Sequence, residues 1–382
     1  MSTRYVVARH CFGGIGDHLS CLVGAWWFAK RTGRTLVVDW RGSRFNPDPT
    51  MHRNCFYQYF EPRQKLAGVN VVADDSVQSL LYPAPYWPSK WTASILATPH
   101  HAKHSADEIA AINHMVTSDE DPAEATIVLN QWVEPPPPRQ AVRELLGELQ
   151  PVDSIRAEAK GFWDDHVGAA PAIAIHIRHG NGENVGARAA YWLGPLALIR
   201  QLAMNARNDM HTPGLFGAFS DNMPPSLVGT PGQARAERRF CSEVASQFRN
   251  LCHRTGLREA VPILFCDAAH VVEVMREALP SVVARPKELL GDGAGPLHQF
   301  RADAVQYGEQ DSIRGGTISE RITRDMFIEL ELMRRCSALL YMDSGFSLLA
   351  RINLDDGKVC RLRPSLANRS ITRIMSRLSA HN

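Results

Sequence analysis

Residues 4–40 spell out a strand, a helix and a second strand, and that succession commits this part of the chain to a parallel sheet. Tyr5 to Ala8 is a short apolar strand and Gly13-Gly-Ile-Gly-Asp17 is a turn; a helix then runs from about His18 to Thr32. Leu19, Leu22, Val23, Trp26 and Trp27 recur at helical spacing, so the tryptophan pair belongs to the core. Gly33 closes the helix, and Thr35 to Asp39 is the next buried strand. Two strands joined through a crossover helix run parallel, because the helix returns the chain to the edge it started from.

A second set of the same kind starts at Ile173. Ile173 to Ile177 is a buried strand, followed by a helix over 193–207 and a glycine- and proline-rich excursion over 211–232. A helix over 234–254, strand Val261 to Asp267, a helix over 269–279 and a short strand Val282 to Ala284 come next. Met326 to Cys336 is helical, Ala338 to Met342 a strand and Phe346 to Asn353 a helix; a basic helical tail covers 365–379. Between the two sets, 41–105 reads as irregular, rich in aromatics and prolines around Tyr82-Pro-Ala-Pro-Tyr-Trp-Pro88. Its aromatics fit loop packing better than sugar stacking. Ala125 to Trp132 is a further strand, and a polyproline spacer ending at Pro138 leads into helices over 139–149 and 152–166. A chain of 382 residues exceeds one comfortable core. The expectation is an N-terminal α/β domain over 1–170, a C-terminal α/β domain over 171–360 and a tail over 361–382, with the ligand site between the two sheets.

Bulk properties narrow the function. With 42 basic and 40 acidic residues the net charge is +2, so no global field points to nucleic acid, and any anion site must be local. No run approaches the ~20 apolar residues a membrane span needs. The N-terminal residues lack the apolar core of a signal peptide, and eight scattered cysteines without a CxxC pair read as reduced thiols. A cytoplasmic protein is expected, at most peripheral to the inner membrane.

The chemistry concentrates in Ile173-Ala-Ile-His-Ile-Arg-His-Gly-Asn-Gly-Glu183. A buried strand here delivers His176 and Arg178 to its C-terminal end, where α/β sheets keep their ligands. Arg178 offers a fork of donors suited to phosphate. Glu183, on a loop loosened by Gly180 and Gly182, is a candidate base. An anion holder beside a base suggests group transfer from a phosphorylated donor; the plainer alternative is an Arg paired with a surface carboxylate.

Gly14-Ile-Gly16-Asp17 resembles half of a dinucleotide fingerprint but lacks the third glycine, and only Asp39 is a possible ribose partner. Asp267 ends a strand and either meets a ribose or caps the helix after it, with capping slightly favoured. Gly295-Pro-Leu-His298, after the basic Arg285-Pro-Lys287, forms a loop over the same crevice. Asp325 stands at the start of an apolar helix. Ser344, in Asp343-Ser-Gly-Phe-Ser347, either caps a helix or holds phosphate, and the two roles are compatible. His100-His-Ala-Lys-His104 has no carboxylate or cysteine pattern beside it and is not read as a metal site.

Taken together, these residues resemble a family. Ala25-Trp, Arg31-Thr-Gly-Arg-Thr-Leu36, Asp39-Trp-Arg-Gly-Ser43, His176-Ile-Arg-His-Gly-Asn-Gly-Glu183, Gly295-Pro-Leu-His298 and Asp343-Ser-Gly-Phe346 are similar to the NodZ-like rhizobial nodulation fucosyltransferases, and more distantly to the eukaryotic core α1,6-fucosyltransferases. The likeness is close over 1–90 and 170–195 and patchier over 260–355. It implies a GT-B-like fold that moves L-fucose from GDP-β-L-fucose to the 6-hydroxyl of a GlcNAc with inversion, without a metal or other cofactor. Carried over, it implies that Arg178 holds the β-phosphate, His176 helps recognise the nucleotide, and Asp325 reads guanine. Ser344 touches phosphate, the Gly14 to Gly16 turn faces the diphosphate, and Glu183 is the base with Asp17 in reserve.

Some positions depart from the family. His179 stands where the core-fucosylating enzymes carry a second basic residue, and Asn181-Gly182 where they carry an Asp-Lys pair. Long stretches around 208–258 and 299–324 are additional to the rhizobial pattern. These put the acceptor, a GlcNAc-containing oligosaccharide or polysaccharide intermediate, in doubt more than the donor. The alternatives are a transferase using another nucleotide sugar and a non-catalytic glycan-binding protein on the same scaffold.

Overall fold

The computed structural model describes residues 3–9, 14–43, 45–48, 50–99, 104–131, 133, 136–178, 231–287, 320–342, 344–364 and 368–370, together with Tyr191 and Leu198. They form two compact units. The first takes the described residues of Met1–Gly161, Leu297–Arg334 and Ser344–Asn353; the second takes those of Phe162–Pro296, Arg335–Asp343 and Leu354–Asn382. The helix expected over 193–207 and most of the 211–232 excursion and of the basic tail lie outside the described residues.

The first unit is built on β1 (Tyr5–Arg9), β2 (Thr35–Asp39), β3 (Lys65–Leu66), β4 (Val69–Val72), β5 (Tyr86–Trp87) and β6 (Thr126–Leu129), in the order β3-β4-β2-β1-β6-β5. All pairs are parallel except β3 with β4. Its helices are α1 (Ile15–Thr32), α2 (Phe56–Tyr59), α3 (Ala93–Ala97), α4 (Ala106–Thr117), α5 (Arg139–Glu148) and the start of α6 (Asp153–His166). β1 is central. The chain leaves it towards β2 on one side, while β6 flanks it on the other, so the turn after β1 lies where the strand order reverses.

α1 begins three residues earlier than its apolar spacing suggests and ends at Gly33, whose φ of 66° is the left-handed conformation glycine adopts without strain. Trp26 is fully buried and donates its indole N–H to the Leu66 carbonyl at 2.9 Å. The stretch 41–105 is not irregular throughout. It supplies β3, β4, β5, α2 and α3, which at two to five residues are too short to carry a readable period. Tyr82 and Trp91 are buried there with Val7, Val37 and Val128, so these aromatics are packing residues. α4 had a legible start: Ser105 and Glu108 form a reciprocal capping box.

The second unit holds β7 (Ala172–Ile177), α7 (Pro231–Thr255), β8 (Val261–Cys266), α8 (Ala269–Ala278), β9 (Val283–Ala284), β10 (Ala338–Tyr341) and β11 (Val359–Arg361). The strands run parallel in the order β11-β10-β7-β8-β9. β7 is buried along its whole length, as a central parallel strand covered on both faces must be. Phe240, Val244, Phe248 and Leu251 of α7 pack on it with Val271 and Met275 of α8. Each such side chain contributes roughly 1.5–3 kcal/mol of burial.

The remaining helices, α9 (Glu320–Arg335) and α10 (Gly345–Asn353), pass their described residues almost wholly to the first unit. Tyr59 stacks on Phe327 of α9, with centroids 4.2 Å apart. Arg143 of α5 donates to the Ile352 carbonyl at the end of α10 at 2.6 Å, a cation where the helix dipole favours one.

Candidate active site

In the first unit the Gly14 turn is tightly built. The Gly14 N–H donates to the Asp17 carboxylate at 2.7 Å, and the Asp17 N–H returns a bond to the Gly14 carbonyl at 3.0 Å. Asp17, at the third position of α1, is therefore engaged with the N-cap Gly14. A Cβ placed on Gly16 would stand 2.0 Å from the carbonyl carbon of Gly345, so only glycine allows α1 and α10 to meet there. Both helices begin at that contact. Ser344 caps α10, its Oγ accepting the Ser347 N–H at 3.3 Å. Two helix N-termini thus bring partial positive charge to one place, at the strand-order reversal beside β1.

His18 ties this turn to the loop after β2. It is buried, with Nδ1 3.1 Å from the Gly14 carbonyl and Nε2 3.0 Å from Ser43 Oγ, between the edges of Trp40 and Phe45. A carbonyl only accepts, so Nδ1 carries the hydrogen and Nε2 accepts the Ser43 hydroxyl. Nothing in the sequence marks this residue beyond its place on the helix. Asp39 is buried between Arg9, 3.7 Å away, and Arg41, 2.9 Å away. Burial alone would raise its pKa, but the two guanidinium groups outweigh that and hold it below the usual carboxylate range. The carboxylate that a dinucleotide fingerprint would aim at a ribose is committed to this buried network instead.

In the second unit, β7 and β10 end side by side, with Tyr341 opposite His176 and the Met342 N–H donating to the His176 carbonyl at 3.1 Å. His176 is 6% exposed. Burial pushes its pKa down to about 4, and the cations of Arg178 and Lys287 push the same way against Asp267, so the imidazole is neutral at pH 7. Arg178 follows the strand and is half-buried. Asp267 follows β8, and Lys287 lies just past β9. The unit therefore gathers a neutral imidazole, two cations and a carboxylate along the C-terminal edge of three adjacent strands. The basic Arg285-Pro-Lys287 was visible in sequence, but nothing there said that it reaches this edge.

Two expectations need correction. Asp325 does not stand at a helix start: α9 begins at Glu320, and Asp325 is buried in its second turn, because Ile322 already belongs to the apolar face. Asp267 is not the N-cap of α8, since that place falls on Ala268, which has no side-chain acceptor. His179, Glu183 and His298 lie outside the described residues. His104, from the histidine-rich tract, is buried 3.4 Å from Glu108 and edge-on to Trp91.

The family model of nodulation protein Z (NodZ) matches residues 2–213, more than half of the chain. The chain belongs to the NodZ family. It is 29% identical to nodulation protein Z of Bradyrhizobium diazoefficiens over 296 residues, covering 77% of this chain and 68% of the relative. It is 27% identical to nodulation protein Z of Sinorhizobium fredii over 360 residues, covering 93% of this chain and 92% of the relative. Among solved structures it is similar to NodZ α-1,6-fucosyltransferase co-crystallised with GDP, with a TM-score of 0.57, 23% identity and 93% of each chain covered. It matches the same enzyme soaked with GDP-fucose, also at a TM-score of 0.57 and 23% identity, over 92% of this chain and 93% of that one. The chain has the GT-B-like fold, two α/β units on mainly parallel sheets.

Proposed function

We propose that the protein is a fucosyltransferase that moves L-fucose from GDP-β-L-fucose to a hydroxyl of an oligosaccharide acceptor, the 6-hydroxyl of a GlcNAc. The observation that carries the reading is the C-terminal edge of β7, where a half-buried Arg178 follows a neutral, buried His176 in a member of the NodZ family. As the glycosidic bond breaks, negative charge grows on the departing diphosphate. Arg178 meets it with a planar fork of donors, and loss of such a contact costs roughly 2–4 kcal/mol of transition-state stabilisation. Within the first unit, the paired N-termini of α1 and α10 with the Ser344 hydroxyl are by themselves an arrangement that favours an anion. Within the second, Arg178 supplies the charge compensation that a divalent ion gives elsewhere, and we assign a metal-free reaction with no cofactor. Inversion needs one base on the face opposite GDP, the role we assign to Glu183.

The acceptor is a GlcNAc-containing oligosaccharide or a polysaccharide intermediate, and the location is the cytoplasm. That location is supported by seven free cysteines among the described residues, six of them buried, and by a Cys21 thiol that burial pushes up to about 12. Among the described residues no helix is long and apolar enough to cross a membrane.

The test is to incubate the full chain, in the presence of a chelator, with GDP-fucose and a library of GlcNAc-ended oligosaccharides, reading products by mass. Addition of one deoxyhexose to a GlcNAc-ended member is expected. Glu183→Gln should abolish it while GDP still raises the melting temperature and UDP does not. Transfer from UDP-sugars alone, or turnover surviving in Glu183→Gln, would count against the donor or the base respectively.

A further inference from the structure

Three neighbouring strands of the second unit end in charge. The pairing Ile177↔Cys266 puts Arg178 and Asp267 one step beyond matched residues of β7 and β8. The pairing Leu264↔Ala284 puts Asp267 and Lys287 each three steps beyond matched residues of β8 and β9. Arg178, Asp267 and Lys287 therefore fall in one row across the sheet edge, a carboxylate with a cation on either side.

Adjacent strands lie about 4.8 Å apart, so β9 stands roughly 10 Å from β7. Yet the Lys287 charge is felt at His176 on β7, where it opposes protonation, as well as at Cys266 on β8. A lysine on a flexible four-carbon stem and an arginine, standing on strands about 10 Å apart, can both meet one diphosphate from opposite sides. Lys287 is half-buried, three residues past the end of β9. Two cations and one carboxylate leave this row net positive, in the place where parallel sheets receive their ligands.

We infer that Lys287 is a second cationic residue of the donor site, holding a phosphate oxygen of the nucleoside diphosphate in company with Arg178. The inference rests on the proposed donor reading. Arg178 supplies a directed fork and Lys287 a mobile point charge, so the two share the diphosphate without competing for one geometry. The bland alternative is that Lys287 only neutralises Asp267. The two differ in what the lysine discriminates: a phosphate contact separates GDP from guanosine, whereas an ion pair that positions Asp267 affects both alike.

The experiment titrates GDP into the full chain by calorimetry, with guanosine read by competition, for wild type, Lys287→Gln and Lys287→Arg. Lys287→Gln is expected to lose about 10- to 100-fold in GDP affinity, as removal of a charged hydrogen-bond partner does. Its guanosine affinity should stay unchanged, and the salt dependence of GDP binding should flatten. Lys287→Arg should recover most of the GDP affinity, which guards against misreading an unfolded variant. Equal loss of GDP and guanosine, or unchanged GDP affinity in Lys287→Gln, would overturn the inference and leave the donor reading standing. Failure of the wild-type chain to bind GDP would overturn both.

Discussion

At the scale of single residues, the strongest claim concerns Arg178. Its backbone directly follows a strand whose every residue is buried, so the place of its Cα is set by the sheet. Arg178→Lys keeps the charge and loses the fork. We expect transfer to fall by about 10²–10³-fold with the melting temperature unchanged, measured as kcat/KM beside a thermal melt. Near-wild-type turnover would sink the assignment. His176 and Arg178 were legible in sequence because a run of alternating apolar residues fixes which end of the strand they occupy. Asp325 was misplaced because the helix was read from the apolar run that starts at Met326, whereas α9 begins at Glu320 and its first turns mix charged residues with Ile322. Lys287 was visible but mute, since its place beside the ends of β8 and β7 depends on strand order, and strand order is a long-range property.

At the scale of elements, the contact between α1 and α10 fixes how the turn after β1 is built. Gly16→Ala would drive a methyl into the Gly345 backbone, where no rotamer change relieves the clash. We expect a loss of about 3 kcal/mol or more, measured by denaturant unfolding. Gly14→Ala makes the control: its Cβ meets nothing nearer than the Asp17 carboxylate at 4.0 Å, and it should cost under about 1 kcal/mol. Equal costs for the two would mean that the helices do not meet as described. The glycines announced a turn in the sequence, but the partner that Gly16 meets, some 330 residues later, did not appear there. The helices α5, α8 and α10 were equally plain, their ends read to within one residue, whereas α4 was passed over and α9 was started six residues late. The short strands β3, β5 and β11 escaped because two or three residues carry no period.

At the scale of the molecule, two buried histidines tie stability to acidity. His104 and His176 are each pushed down by burial to about 4 from an unperturbed 6.5. A histidine depressed in the folded state binds its proton more readily when unfolded. The stability it protects is complete above about pH 6.5 and is lost progressively as pH falls towards 4. Each contributes on the order of 1–3 kcal/mol across that window. The buried Asp39, held low by Arg9 and Arg41, adds its own loss only below its ordinary value of 3.8. Denaturant midpoints should therefore hold level from pH 8 to about 6.5 and fall between 6.5 and 4. A flat profile down to pH 4.5 would refute the burial of these imidazoles.

By itself, the sequence determined what depends on neighbours along the chain. It set the period of the long helices, the buried parallel strands, the glycines at the first turn, and the strand end that carries His176 and Arg178. Tertiary structure alone decided what depends on strand order and distant packing. It paired Gly16 with Gly345, committed Asp39 to two arginines, carried α9 and α10 into the first unit, and laid Arg178, Asp267 and Lys287 in one row. The physical reason is range. Backbone periodicity and capping act within a few residues, whereas burial and charge act through space between segments that chain order keeps far apart.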